Sequence, residues 1–467
     1  MHDPVTQDRS SLPRDLFERV PDEVLDLCRA LADAGHAVYI VGGAVRDLLL
    51  GRPGELDWDV ATSARPDEVT ALFERTAPTG VKHGTVTVIL ENAEYEVTTF
   101  RGESSYSDGR HPDEVTYLDD IEADLARRDF TMNAMAVDPR DGTLIDPHGG
   151  RDAIGRRALE AVGDAVQRFR EDGLRPMRAA RFTAVLEVEP AAGLIDAMRA
   201  TRDVFEKVSA ERKRDEILKM MEARTPSRGW QMLEEASYLE LLFPGLEKTV
   251  GCVQGGRHDH DVWTHSLGCM DACPPCDPLL RLAGLLHDAA KPETSEPREG
   301  EGMHFYRHEQ IGEQKVAAWL RNLHFKGADV ERVALLVRHH MVIYSPEWTD
   351  AAVRRFIARV GKEHVHDVID LAIADVRTQG RSDFLVPLAE ELRGRVGAEL
   401  KKGSVIDRTD LAVGGRDVME HLGLDPGPRV GEIIASLLDR VVEDPALNER
   451  AILLAIAAEL DPGSGGQ

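Results

Sequence analysis

Apolar residues in PDEVLDLCRALADAG, residues 21 to 35, return at steps of three and four, which predicts an amphipathic helix. HAVYIV, residues 36 to 41, is a short apolar run that stops at Gly42 and Gly43 and reads as a buried strand. AVRDLLLG then returns to helical spacing. Residues 80 to 100, GVKHGTVTVILENAEYEVTTF, are rich in Val, Thr and Tyr and broken by LENAEY, so they predict two strands joined as a hairpin. From about residue 151 onward Ala and Leu recur at helical spacing, punctuated by Pro and Gly clusters near 225, 244, 274 and 292 to 302. The pattern predicts an α+β chain, with a mixed α/β head of about 140 residues and a mostly α-helical remainder.

Length and charge narrow this picture. A chain of 467 residues exceeds one ordinary domain. No apolar run is long enough to span a bilayer, and MHDPVTQDRSSLPRD lacks the features of a secretory leader, so a cytoplasmic location is expected. The five cysteines, Cys28, Cys252, Cys269, Cys273 and Cys276, are too sparse for a disulfide framework and are expected to be reduced. The CPPC stretch from Cys273 lacks a second pair to complete a zinc site. A net charge of −26 excludes a broad electrostatic hold on nucleic acid. Any such partner must use a local patch, and residues 151 to 182, with eight arginines against five acids, supply one.

The candidate chemistry begins at LDWD. On a strand, Asp57 and Asp59 would point to one face and Trp58 to the other, packing in the core. Two adjacent carboxylates repel unless a cation lies between them, and a hard divalent ion takes oxygen ligands of this kind. Taken alone, DxD equally fits a solvated edge strand. The preceding VGGAVRD changes the balance, because paired glycines between strand and helix let backbone N–H groups approach a phosphate, and Arg46 adds a planar cation. Glu96 in YEVTTFR, on a neighbouring strand, is placed to be a third carboxylate.

Together these stretches resemble a family. VGGAVRDLLLG with LDWDVAT, EVTTFR, DLARRDFTMNAMA (124 to 136), REDGLRPMRAARF (170 to 182) and VSAERKRDEILKMM (208 to 221) resemble the motifs of the bacterial class II tRNA nucleotidyltransferases. These are the CCA-adding enzymes, with a polymerase-beta-like catalytic head. The resemblance implies template-independent addition of CTP and ATP residues to the tRNA 3′ end, with Asp57 and Asp59 holding Mg²⁺ and Glu96 steering the primer hydroxyl. It implies nucleotide binding by Gly42, Gly43, Arg46, Arg128, Asp129, Asp172, Arg175, Arg178 and Arg181. Asp172 accepts hydrogen bonds and Arg175 donates them, so a helix carrying both one turn apart would imitate a Watson–Crick edge; Pro176 means that this helix either begins nearby or is irregular. The polar stretch from 102 to 115 resembles the flexible loop of members that add the final A.

A second constellation follows. HDHDVWTHSLG, LAGLLHDAAK, YRHEQIG, LLVRHHM and AIADVR place His265, His287, Asp288, His308, His339, His340 and Asp375 on successive predicted helices. His265, His287, Asp288 and Asp375 resemble the ligands of the HD metal-dependent phosphohydrolases, which implies a divalent metal of unspecified identity. His308 with His339, or else His340, would complete a second metal position; His258 and His260 receive no role. The expected organisation is a polar tail (1–20), a catalytic head (21–160), a helical neck (161–245), an HD domain (246–400) and a helical tail (401–467). The rival readings are an A-adding enzyme or a poly(A) polymerase of the same family, and an HD-type phosphohydrolase whose N-terminal half binds tRNA.

Overall fold

The computed structural model describes residues 9–54, 56–80, 84–91, 93–103, 115–254, 260–298, 302–378, 382–403 and 406–461. Its contacts divide into two compact units, Met1–Leu241 and Leu242–Gln467.

The first unit begins with a mixed sheet. Its strands are β1 (Arg9–Ser11), β2 (Val38–Val41), β3 (Asp59–Thr62), β4 (Thr76–Gly80), β5 (Thr85–Ile89), β6 (Glu94–Thr99), β7 (Arg101–Glu103), β8 (Val115–Tyr117), β9 (Ala136–Val137) and β10 (Thr143–Ile145). Eight of them form one sheet in the order β1-β10-β9-β2-β3-β6-β5-β4, while β7 and β8 pair apart from it. The expected helix runs Asp22–Asp33 and buries Val24, Leu27, Cys28 and Leu31, one stripe of the 3.6-residue period. The expected hairpin is β5 and β6, antiparallel, with Thr87 opposite Glu96.

One expectation is corrected here. Asp57 lies outside β3, which starts at Asp59, so the strand ladder does not hold the two carboxylates on one face. Trp58 between them is buried, as a packing residue should be.

Helices complete the first unit. Arg175–Leu186 packs with Ala210–Met221 and Ser227–Glu235. They meet tightly at Gly229, where an added Cβ would collide with Met220 Sδ and lie 2.6 Å from the Ala180 carbonyl oxygen. Only glycine lets the backbones meet that closely. The helical reading from residue 151 omits two short ladders, Ala158–Leu159 with Glu189–Pro190 and Ser295–Arg298 with Gly302–Phe305.

The second unit is helical. Val262–Ala272, Pro278–Leu286, His308–Asn322, Gly327–His339 and Val365–Thr378 pack on one another, and no helix is long and apolar enough to cross a membrane among the described residues.

Candidate functional site

In the head, the parallel pairing of β3 with β6 matches Val60 to Val97, which brings Asp59 level with Glu96 on the adjacent strand. On its other side Asp59 pairs with Val41, the last residue before the glycine turn. Burial pushes the Asp59 carboxyl up to about 6; the negative charges of Asp57 and Glu96 act in the same direction, against the Arg128 guanidinium. The three acids therefore feel one another. They are not drawn into a tight cluster: the described groups of three or more ligating side chains within 4.8 Å lie elsewhere, in the second unit.

Gly42 is indispensable to this arrangement for two reasons. Its φ of +75° lies in the left-handed region, and an added Cβ would stand 3.0 Å from Arg128 Nη1 and 3.4 Å from Asp59 Oδ2. The helix Gly43–Leu49 then carries Arg46 inward, where Nη1 donates to Asn133 Oδ1 at 2.7 Å and Nε to Asp47 Oδ1 at 2.9 Å.

Behind the acids lies a buried polar network. Asp129 accepts from Asn133 Nδ2 at 3.1 Å, from the Phe130 backbone N–H at 2.8 Å and from Arg178 Nε at 2.8 Å. Burial would raise its pKa, but the Arg178 and Arg175 charges and these hydrogen bonds outweigh burial and hold the carboxyl well below the usual range. Asp124 holds both Arg127, at 2.8 Å, and Arg128, at 3.4 Å. Asn133, which joins Arg46 to Asp129, and Asp124 were not singled out from sequence. Both sit inside the DLARRDFTMNAMA stretch, and as polar residues in a buried segment they carried a readable signal.

The Asp172 and Arg175 expectation needs correction in its geometry. Asp172 is not on a helix with Arg175: it follows the helix Ala165–Glu171, and Arg175 opens the helix Arg175–Leu186 with Pro176 in its first turn, where a missing N–H costs nothing. Asp172 pairs with Arg212 at 2.7 Å. Arg175 is buried and donates to Glu171, to the Arg168 carbonyl and to the Arg127 carbonyl. Arg181 pairs with the buried Glu216 at 2.6 Å, and its guanidinium lies 4.1 Å from the Phe182 ring centre. Of the stretch from 102 to 115, residues 104–114 lie outside the described residues, as does His258.

The second unit gathers its histidines around Asp288. His265 Nε2 is 2.8 Å from Asp375 and 3.8 Å from Asp288; His287 Nε2 is 3.1 Å from Asp288; His308 Nε2 is 3.3 Å from Asp288. His340, not His339, completes the group, with Nε2 3.8 Å from Asp288 and 3.3 Å from His308 Nε2. The apolar stripe of Gly327–His339, through Val330, Val333, Ala334 and Val337, reaches its next inward position at 340, which is the signal that separates the two histidines.

The ring orientations are fixed from behind. Nδ1 of His287, His308 and His340 each meets the backbone carbonyl three residues earlier, at 2.8, 2.9 and 2.8 Å. Nδ1 of His265 meets Thr378 Oγ1 at 3.0 Å, and that hydroxyl donates to the Asp375 carbonyl. With Nδ1 of each ring engaged from behind, the Nε2 atoms turn towards Asp288 and Asp375, the side from which neutral imidazoles would bind a metal. Both Asp288 oxygens and His287 Nε2 are buried without a hydrogen bond of acceptable geometry. A donor set of imidazole nitrogens and a shared carboxylate, whose ligating atoms converge within 4.8 Å of one another, fits a divalent cation. Lys291, which sequence reasoning missed, stands 2.6 Å from Asp288 and donates to Gln254.

Three comparisons place this architecture. Residues 38–160 match the poly A polymerase head domain, 191–249 the RNA and SrmB-binding site of polymerase A, and 305–457 a tRNA nucleotidyltransferase domain 2. The chain is 47% identical over 434 residues to a CCA-adding enzyme of Geobacillus thermodenitrificans, covering 93% of this chain and 95% of that one. A CCA-adding enzyme of Levilactobacillus brevis is 31% identical over 450 residues, 95% of this chain and 100% of that one. A crystal structure of the Bacillus stearothermophilus CCA-adding enzyme in complex with CTP superposes with a TM-score of 0.71 at 31% identity, covering 94% and 97% of the two chains.

A mixed-sheet head carrying these acids, followed by a helical body, defines a nucleotidyltransferase. The chain belongs to the CCA-adding enzyme family, whose nucleotidyltransferases use divalent metals.

Proposed function

We propose that this chain builds or repairs the CCA terminus of tRNA from CTP and ATP. The primer 3′ oxygen would attack the α-phosphate of the nucleotide and pyrophosphate would leave. The carrying observation is the head's acid group, Asp59 with Asp57 and Glu96 acting on it and Arg128 beside it. Mg²⁺ held by Asp57 and Asp59 would polarise the reacting phosphate and offset the repulsion between the acids. Glu96 would steer the primer hydroxyl. Gly42 and Gly43, which let Arg128 and Arg46 come close to the turn, would receive the triphosphate together with Arg178, and Asp129 holds Arg178 in place. Asp172, Arg175 and Arg181 would frame the base and the primer end.

The test uses transcripts ending before C, CC or A, with CTP and ATP supplied separately and together. The expected result is growth of the shortest transcript to the full CCA end when both nucleotides are present. Growth by A alone, or a lengthening A tail, would instead assign A addition or poly(A) synthesis.

A second reading is favoured by the four inward Nε2 atoms: a phosphohydrolase centre in the second unit, with His265, His287, Asp288 and Asp375 as one metal position and Asp288, His308 and His340 as the other. Metal analysis after dialysis should then find divalent ions in the wild type, with Asp288→Ala losing them and His340→Ala losing part. His339→Ala should retain them, since its ring stands outside the group. Equal metal content in Asp288→Ala and the wild type would remove this reading.

A further inference from the structure

We infer that a cavity at the ends of the helices Gly43–Leu49 and Arg175–Leu186 binds the phosphodiester backbone of the RNA substrate close to its 3′ end, an inference that rests on the tRNA reading above. The cavity has a volume of about 990 Å³ and is bounded by residues 50–53, 181–187 and 219–224 together with Arg157. Arg52, Arg157, Arg181, Lys219 and Arg224 face it, against the acids Glu187 and Glu222. In a chain of net charge −26 this is a local positive excess, the footprint that a phosphate backbone needs.

Arg181 is held by Glu216, but three of these cations have only long ion pairs. Arg52 is 3.9 Å from Asp47, and Arg157 and Arg224 are each 3.9 Å from Glu187, whereas the ion pairs of the neighbouring network close to between 2.6 and 2.8 Å. The Arg224 side chain is 87% exposed. The Arg52 and Arg224 guanidinium groups can turn to phosphates without breaking tight pairs.

The backbone at this cavity is strained. Arg157 (φ +52°) and Glu187 (φ +53°) are two of the five non-glycine residues with positive φ among the described residues, and they clasp each other. Arg157 Nη2 donates to the Glu187 carbonyl at 3.2 Å, and the Glu189 N–H donates to the Arg157 carbonyl at 2.8 Å. Side chains held in left-handed backbone concentrate at binding and catalytic sites.

Arg181 stacks on the Phe182 ring, and the same ring takes Arg46 at 5.2 Å and Arg178 at 5.3 Å. One aromatic side chain thus joins the cavity wall to the residues around the acids. Cations spread over four chain segments suit a charge repeated along a strand better than the point charge of a free nucleotide.

The experiment measures binding of a tRNA transcript lacking CCA by fluorescence anisotropy over a range of salt, in the wild type and an Arg52→Ala, Lys219→Ala, Arg224→Ala triple variant. Affinity should fall about tenfold and the salt slope should shrink by about 2, as expected for two to three lost phosphate contacts. A charge-conserving Arg52→Lys, Lys219→Arg, Arg224→Lys variant should restore both, and the KM for CTP should not move. Arg224→Glu alone, at an exposed position, serves if the triple variant melts early. Unchanged affinity and slope overturn the inference, and so does a raised KM for CTP with tRNA binding intact, which would make the cavity a nucleotide site. Binding is read without turnover, so a wild type that adds no nucleotide would sink the CCA reading and leave this result legible.

Discussion

Asp59→Asn should abolish nucleotide incorporation, with turnover falling about 10³-fold or more, while the second unit's metal content stays at the wild-type level. Asp59 is the acid that the strand places, next to Glu96 by register and next to Gly42 by contact, so no other carboxylate can take its position. The pH dependence follows from the same charges. Asp59 is ionised only above about 6, which lies above the unfolded value of about 3.9, and a cation binds the ionised form. The Mg²⁺ concentration for half-maximal rate should therefore rise as the pH falls through that value. A raised carboxylate also opposes folding once ionised, at pH values above about 6 and in the absence of metal. In chelator, Asp59→Asn should thus melt higher than the wild type at neutral pH, by an amount equivalent to about 1 to 3 kcal/mol. Incorporation surviving in the variant, or a lower melting temperature in chelator, would remove Asp59 from the site.

The reasons Asp59 and Glu96 were legible in the sequence, and Asp57 less so, are geometric. Period-two alternation identifies which residues share a face within a strand, and β6 obeys it, whereas β3 is buried continuously from Val60 to Thr62 and shows its register only through its pairing with β6. It does not say where a strand begins, and β3 begins one residue after Trp58. The single helix expected to carry Asp172 and Arg175 is absent for a related reason. The helix period does not continue across Gly173, because the chain leaves the helix at Asp172, whose φ of −138° and ψ of 108° are extended. The break turns Asp172 towards Arg212 and Arg175 into the scaffold. The histidine group was legible by residue type but not fully by number, because 339 and 340 are adjacent and only the stripe through Val337 distinguishes them. Asn133 and Lys291 reach partners 87 and 37 residues away, and although a polar residue in a buried segment is readable locally, the partner it meets is not.

Removing Asp129 should cost the first unit stability rather than only activity. Its carboxylate is buried, receives two side-chain partners and one backbone N–H, and leaves Arg178 without its counter-charge when deleted. Breaking one side of such a pair costs about 3 to 5 kcal/mol, and the partial exposure of Arg178 points to the lower end. The pH profile separates this from simple loss of packing. The folded carboxyl titrates below its unfolded value of about 3.9, so its contribution is complete above that value and disappears as the pH falls through the lower, folded one. Urea unfolding of wild type and Asp129→Asn should therefore differ most at neutral pH, and the gap should narrow below about pH 4. Arg178→Ala should give a similarly narrowed gap, since it removes the charge that depresses Asp129. Asn133 also links Asp129 to Arg46, so the same substitution should raise the KM for nucleotide through a loosened Arg46. Parallel loss of stability by the variant and the wild type across the acid range would mean that the Arg178 pair does not hold Asp129 ionised.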